Sequence, residues 1–133
     1  MFKFLFLREQ IERKCSYCHS LKSLKSVEII VPLTTLILYL NRFTYDEKAK
    51  STEKLHVPVS CPVDLSLKNE RLYALNAVIN HIGDSLSSGH YNIILVDKIR
   101  NILVDDLKIR YNAVFDDKIS YVAVYNKTIN RYF

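Results

Sequence analysis

From Val27 onward the sequence is a series of short apolar runs, rich in β-branched and aromatic residues, each closed by charged or small polar residues. Runs of that length and composition read as strands. They place strands near 27–31, 34–42, 55–59, 71–81, 90–96, 100–104 and 119–126, whereas residues 1–13 carry a weak helical pattern. Between the strands, Tyr45–Glu53 holds five charges and no large aliphatic side chain and reads as an exposed loop. A second loop runs from Gly83 to Gly89. There is no internal repeat or low-complexity tract, and 133 residues with 49% hydrophobic content suffice for one domain, or part of one, with its own core.

Charge and apolar patterning exclude several classes. The 19 Lys and Arg are dispersed among 14 Asp and Glu, so the net +5 describes a solvated surface and not the basic stripe of a nucleic-acid binder. Phe2–Leu7 is interrupted by Lys3 and followed by Arg8 and Glu9, too short an apolar stretch for an export signal. The richest apolar segment, Val27–Phe43, contains Glu28, Asn41 and Arg42 and cannot span a bilayer. No membrane partner is expected. Three cysteines, two of them three positions apart, do not form a secreted disulfide framework, which favours a reducing cytoplasm or nucleus.

Glycine is the most informative residue. At roughly 7% average usage a chain of this length would hold about nine, yet it has two, and both bracket the serine-rich loop in VINHIGDSLSSGHY, residues 78–91. Gly89 immediately precedes His90. Glycine serves where φ is positive or another backbone approaches closely, as an extended substrate beside an imidazole would; an ordinary turn is the alternative.

The segment YALNAVINHIGDSLSSGHY, residues 73–91, closely resembles the histidine box of ubiquitin-specific proteases, with both glycines and both histidines in place. Further resemblances follow in order: LILYLNRFTYD at 36–46, KLHVPVSCPVDLSL at 54–67, Val104-Asp105-Asp106 for the Phe-Asp-Asp element, and SYVAVYNK at 120–127 for the closing strand. The resemblance implies that His90 is the catalytic base and Asp105 the carboxylate that orients it, with Asp106 pointing to the opposite face if the strand continues. Phe115-Asp116-Asp117 spells the acidic element more literally, but lies too close to Tyr121. The Trp usual before the acid is absent, with Asn101 near its place. Gly83, Ser88, Gly89 and Tyr91 would line the channel for ubiquitin's C-terminal tail. His81 reads as a hydrogen-bonded structural histidine, and His19 and His56 as surface residues without partners.

The family's Gly-Asn-Thr-Cys nucleophile segment has no counterpart in these residues. Cys61 reads as a small core residue. Cys15 and Cys18 resemble the second half of the family's four-cysteine zinc site, a weak and incomplete set, since a structural zinc takes four ligands; zinc is not needed for the chemistry. The implied fold is α+β and mostly β: a papain-like palm with an antiparallel twisted sheet over residues 34–127, a fingers-like remnant at 15–18, and most of the helical thumb missing. Residues 1–133 are then a partial catalytic domain whose uncovered sheet leaves an apolar face open. The implied function is that of a thiol-dependent deubiquitinase carrying the histidine and aspartate of the triad, inactive alone, with ubiquitin or a ubiquitinated protein as partner. The alternative is a non-catalytic ubiquitin-binding or regulatory module.

Overall fold

The computed structural model describes residues 9–26, 34–67 and 71–128, and they contain strands and turns but no helix. The chain divides into two compact units, residues 1–32 and 33–133.

The first unit holds a hairpin of β1 (Glu9–Glu12) and β2 (Lys22–Lys25). The helical pattern expected over 1–13 is overturned at 9–12, and residues 1–8 lie outside the described residues. The pairing explains why: the register sets Glu12 opposite Lys22, and opposite charges facing each other across a ladder favour the strand. The turn end carries Cys15 and Cys18, with the Cys15 N–H donating to Ser20 O (2.8 Å) and the His19 N–H to Cys15 O (3.0 Å).

The second unit is a seven-stranded antiparallel sheet plus a hairpin. In chain order the strands are β3 (Thr35–Tyr39), β4 (Phe43–Asp46), β5 (Ser51–Lys54), β6 (Asp64–Leu67), β7 (Arg71–Ile82), β8 (His90–Leu95), β9 (Ile102–Asp105), β10 (Lys108–Tyr111) and β11 (Ser120–Lys127). The sheet runs β10-β9-β8-β7-β11-β3, and β4 pairs with β5 separately. The twelve-residue β7 is the centre: its first residues pair with β6, its last with β8, and its other edge with β11.

Several expected boundaries move. Residues 27–31 lie outside the described residues. Of the run 34–42 only Thr35–Tyr39 forms a strand, β3, and β4 begins beyond it at Phe43 and pairs with β5, so 45–53 is a hairpin and not a plain loop. No strand forms at 55–59; the carbonyls of Leu55 and Val57 accept from the Arg42 guanidinium, and the Val59 N–H donates to Asp117 O. Pro58 has no N–H to give a ladder. The strand lies instead at β6, where Leu65 and Leu67 alternate inward.

The two faces of the sheet differ. Leu36, Leu38, Val78, Ile94, Ala123 and Tyr125 form one buried face, and the Tyr125 hydroxyl donates to Pro62 O (3.0 Å). The other face carries Ile37, Val124, Ile79, Ile93, Leu95 and Ile109, of which Ile37 and Ile109 are 64% and 60% exposed. A sheet with one face packed and an apolar second face left open is the arrangement expected of an incomplete papain-like palm.

Candidate active site

His90 opens β8 and Asp105 closes β9. The register pairs Ile82 with His90 across β7–β8 and Ile93 with Val104 across β8–β9. This places His90 and Asp105 on one face of neighbouring strands, and His90 Nε2 is hydrogen-bonded to Asp105 Oδ1. With Nε2 as the donor, Nδ1 is the nitrogen left to face a reacting group. The side chains are 43% and 26% exposed, so the pair opens to solvent. The hydrogen bond to Asp105 raises the His90 pKa above the usual histidine value, opposed by partial burial and aided by the charges of Asp105 and Asp106. Reciprocally, that bond lowers the Asp105 pKa, with Lys108 and Arg110 adding to the effect.

Asp106 does not continue the strand. It begins the two-residue turn between β9 and β10 with φ 52°, a left-handed conformation Asp tolerates better than most residues. The condition for an opposite face is therefore not met, and side-chain N and O atoms of His90, Asp105 and Asp106 all lie within 4.8 Å of one another. The other acidic pair is structural. The Asp116 carbonyl caps Ile119 and Ser120, its side chain accepts from the Lys118 N–H, and the Asp117 carbonyl accepts from Arg42. Asn101 donates to Ala113 O (3.3 Å).

The two glycines have different causes. Gly83 has φ +116°, a conformation that favours glycine. At Gly89 the nearby group is His81: a Cβ there would lie 2.1 Å from His81 Nε2. Thus the close approach expected from a substrate backbone is made by the chain's own side chain. His81 is 1% exposed and its Nδ1 has no hydrogen-bond partner among the described residues, so the ring is held there by packing and not by the bonding expected. Its ring lies 4.8 Å from that of Tyr91 and 5.6 Å from those of Phe43 and Tyr121. Tyr121 is the extra residue of a bulge in β11, and Tyr39 shares a hydroxyl contact with it. That contact and burial push the Tyr121 pKa up to about 12.

Tyr91 is 52% exposed beside His90. Ser88 lies in the exposed loop, whose residues Asp84, Ser85, Leu86 and Ser87 line an open groove of about 610 Å³ with Thr52 of β5. Two residues at this loop were missed as site elements by the sequence reading. Buried Lys54 donates to the carbonyls of His81 and Gly83, both at 2.7 Å, and clamps the loop neck; its only sequence signal was its place at the head of the 54–67 segment. His56, expected to be unpartnered, pairs with Asp84 at 3.1 Å.

The cysteines fall into two environments. Burial pushes the Cys61 thiol up to about 11, and Asp117 adds to this against Arg42. Cys15 in the β1–β2 turn is lowered, first by the Cys18 backbone N–H, then by that of Tyr17 and the Cys18 side chain. His19 sits in the same turn with φ 56°.

Comparison with known proteins gives this geometry a family. The family model described as ubiquitin carboxyl-terminal hydrolase matches residues 7–125. Ubiquitin carboxyl-terminal hydrolase 4 of Arabidopsis thaliana is 34% identical over 84 residues, 58% of this chain and 23% of the relative. Probable ubiquitin carboxyl-terminal hydrolase 3 of Schizosaccharomyces pombe is 33% identical over 103 residues, 68% of this chain and 20% of the relative. The chain thus spans about a fifth to a quarter of the length of these relatives. Among solved structures, one of the yeast SAGA DUB module matches with a TM-score of 0.68 at 19% identity, covering 94% of this chain and 31% of that one. A SAGA DUB module bound to monoubiquitin matches at 0.67 and 18%, with the same coverage of each. The structures share the fold, and the family match takes in the whole of β7, β8 and β9 with the His90 and Asp105 they carry: this chain belongs to the ubiquitin carboxyl-terminal hydrolase family.

Proposed function

We propose that residues 1–133 supply the base and its orienting acid to a thiol-dependent deubiquitinase that cleaves after the C-terminal glycine of ubiquitin. The observation that carries this reading is the His90–Asp105 pair, joined through Nε2 and with the imidazole partly open to solvent. A thiol facing Nδ1 would pass its proton to His90, and the imidazolium would be stabilised by Asp105. The thiolate attacks the carbonyl carbon of the scissile bond. His90 then protonates the departing amine, and in the second half accepts a proton from the water that releases the acyl group. Tyr91 and the loop from Gly83 through Ser88 to Gly89 border the path for the ubiquitin tail.

The nucleophile in this reading comes from outside these 133 residues. A thiol held at about 11, as at Cys61, is a poor thiolate source at neutral pH. Cys15 and Cys18 supply two thiolate donors, half of a closed tetrahedral zinc site, and zinc takes no part in the proposed chemistry. The working compartment is the cytoplasm or nucleus, where these thiols stay reduced.

The test is hydrolysis of a fluorogenic ubiquitin C-terminal amide by purified 1–133, for which no turnover is expected. Turnover that survives replacement of all three cysteines by alanine would sink the cysteine mechanism. Turnover lost with Cys61→Ala alone would make Cys61 the nucleophile. A second reading, ubiquitin binding without turnover, draws on the open groove between Thr52 and Asp84–Ser87, which does not involve His90.

A further inference from the structure

His90 is the first residue of β8, so only its C-terminal side is continued by the ladder. On its N-terminal side lies the exposed loop from Gly83 to Gly89. Something must fix the backbone at that junction, because the dihedrals of residues 88–90 decide where the imidazole points. The contact at Gly89 has the required geometry. A Cβ there would meet His81 Nε2 at 2.1 Å, His81 Cδ2 at 2.9 Å and the Ile82 carbonyl at 2.9 Å, so the His81 ring lies directly against the Gly89 Cα. The ring is itself immobilised by Tyr91, Tyr121 and Phe43, and its main-chain carbonyl is held by Lys54.

We propose that His81 is a positioning residue: its imidazole, seated against the Gly89 Cα, fixes the backbone that aims the His90 ring at Asp105. This rests on the reading of His90 as the base. Packing on three sides gives the ring one location, and the missing Cβ at Gly89 lets the strand close onto it. A misplacement of about 1 Å at a reacting group can lower a rate by about a hundredfold, so the contact bears directly on the site.

NMR titration of the His90 ring in residues 1–133 tests the idea. Asp105→Asn first establishes the reference, lowering the His90 pKa toward the ordinary histidine value. Gly89→Ala, whose methyl expels the His81 ring, is expected to lower it in the same direction, and His81→Ala to lower it part way. The double variant His81→Ala/Gly89→Ala is expected to recover only part of the Gly89→Ala loss, since the methyl then clears the ring but still meets the Ile82 carbonyl at 2.9 Å. His81→Phe, which keeps a ring in the cage, is expected to titrate as wild type. A merely structural His81 would lower the melting temperature of His81→Ala and leave the His90 titration where it was. Should Gly89→Ala not fold, the contrast between His81→Ala and His81→Phe decides alone. Wild-type titration of His90 in His81→Ala, with Asp105→Asn effective, overturns this inference only; an ineffective Asp105→Asn removes the pairing itself and overturns the functional reading with it.

Discussion

Arg42 is 2% exposed. Its Nε donates to Ser120 O at 2.6 Å, Nη1 to Val57 O at 2.5 Å and Leu55 O at 3.3 Å, and Nη2 to Asp117 O at 2.5 Å. One guanidinium therefore ties the β3–β4 junction to the 55–57 segment and to the turn that starts β11. Burial lowers its pKa, opposed by Cys61, Asp117 and Asp116, but Arg stays charged at any working pH. Arg42→Met keeps much of the volume and removes every donor. Leu55 and Val57 are exposed enough for their carbonyls to regain water, whereas Ser120 is 1% exposed. The Asp117 carbonyl keeps the Val59 N–H, so the Ser120 carbonyl is the one left buried, and at about 1–3 kcal/mol its loss is a sizeable part of the about 5–15 kcal/mol that stabilises a small domain. With nine Tyr and no Trp, urea unfolding followed by tyrosine fluorescence and circular dichroism is the assay. A slope of about 1–3 kcal/mol/M turns that loss into a midpoint drop of about 1 M. Arg42→Lys, with three donors on one nitrogen, should fall between the two. A change under about 0.5 kcal/mol for Arg42→Met would refute the view that this cation joins three segments.

Three further outcomes follow from the same contacts. Lys54→Met removes two charge-assisted bonds at the loop neck, worth about 1.5–3 kcal/mol each, and should lower stability while raising hydrogen exchange at Gly83–Gly89; unchanged exchange there would contradict the clamp. The His90–Asp105 pair should make stability depend on pH. The raised His90 pKa gives a contribution fully present below 6.5 and lost as pH rises through the folded value, and the lowered Asp105 pKa gives one present above 3.8 and lost as pH falls through its folded value. The melting-temperature difference between wild type and Asp105→Asn should accordingly be largest between those limits and shrink on either side; a flat difference from pH 4 to 9 would count against the pair. At pH 8 a thiol at about 11 is only about one-thousandth ionised, so iodoacetamide should label Cys15 at least about 100-fold faster than Cys61, and equal rates would contradict the burial of Cys61.

Much of this was legible in the sequence, because the strands of the sheet are long enough to show their composition. β7, β8 and β11 lie within a residue or two of the expected runs. Short or exposed strands were not legible: β10 is exposed along its length, and β4 and β5 carry the charges of an apparent loop. β6 showed its alternation at Leu65 and Leu67, but neighbouring Val57 and Val59 drew the expectation upstream, and Arg42 on the Val57 carbonyl, Pro58 and the Asp117 carbonyl on the Val59 N–H together keep those residues out of a ladder. At the site, His90 and Asp105 come together as the resemblance implied. What a linear pattern could not carry was the left-handed turn that swings Asp106 toward them, the seat of His81 on Gly89, and Lys54 reaching the loop from 27 residues upstream.

The central claim is that this sheet presents a base and a tail-binding loop to ubiquitin. Titrating ubiquitin into isotopically labelled 1–133 and following the amide resonances tests it most directly. The account predicts shifts concentrated at Gly83–Tyr91 that disappear when the ubiquitin lacks its C-terminal glycines. No shifts at millimolar ubiquitin, or shifts unaffected by that truncation, would contradict it.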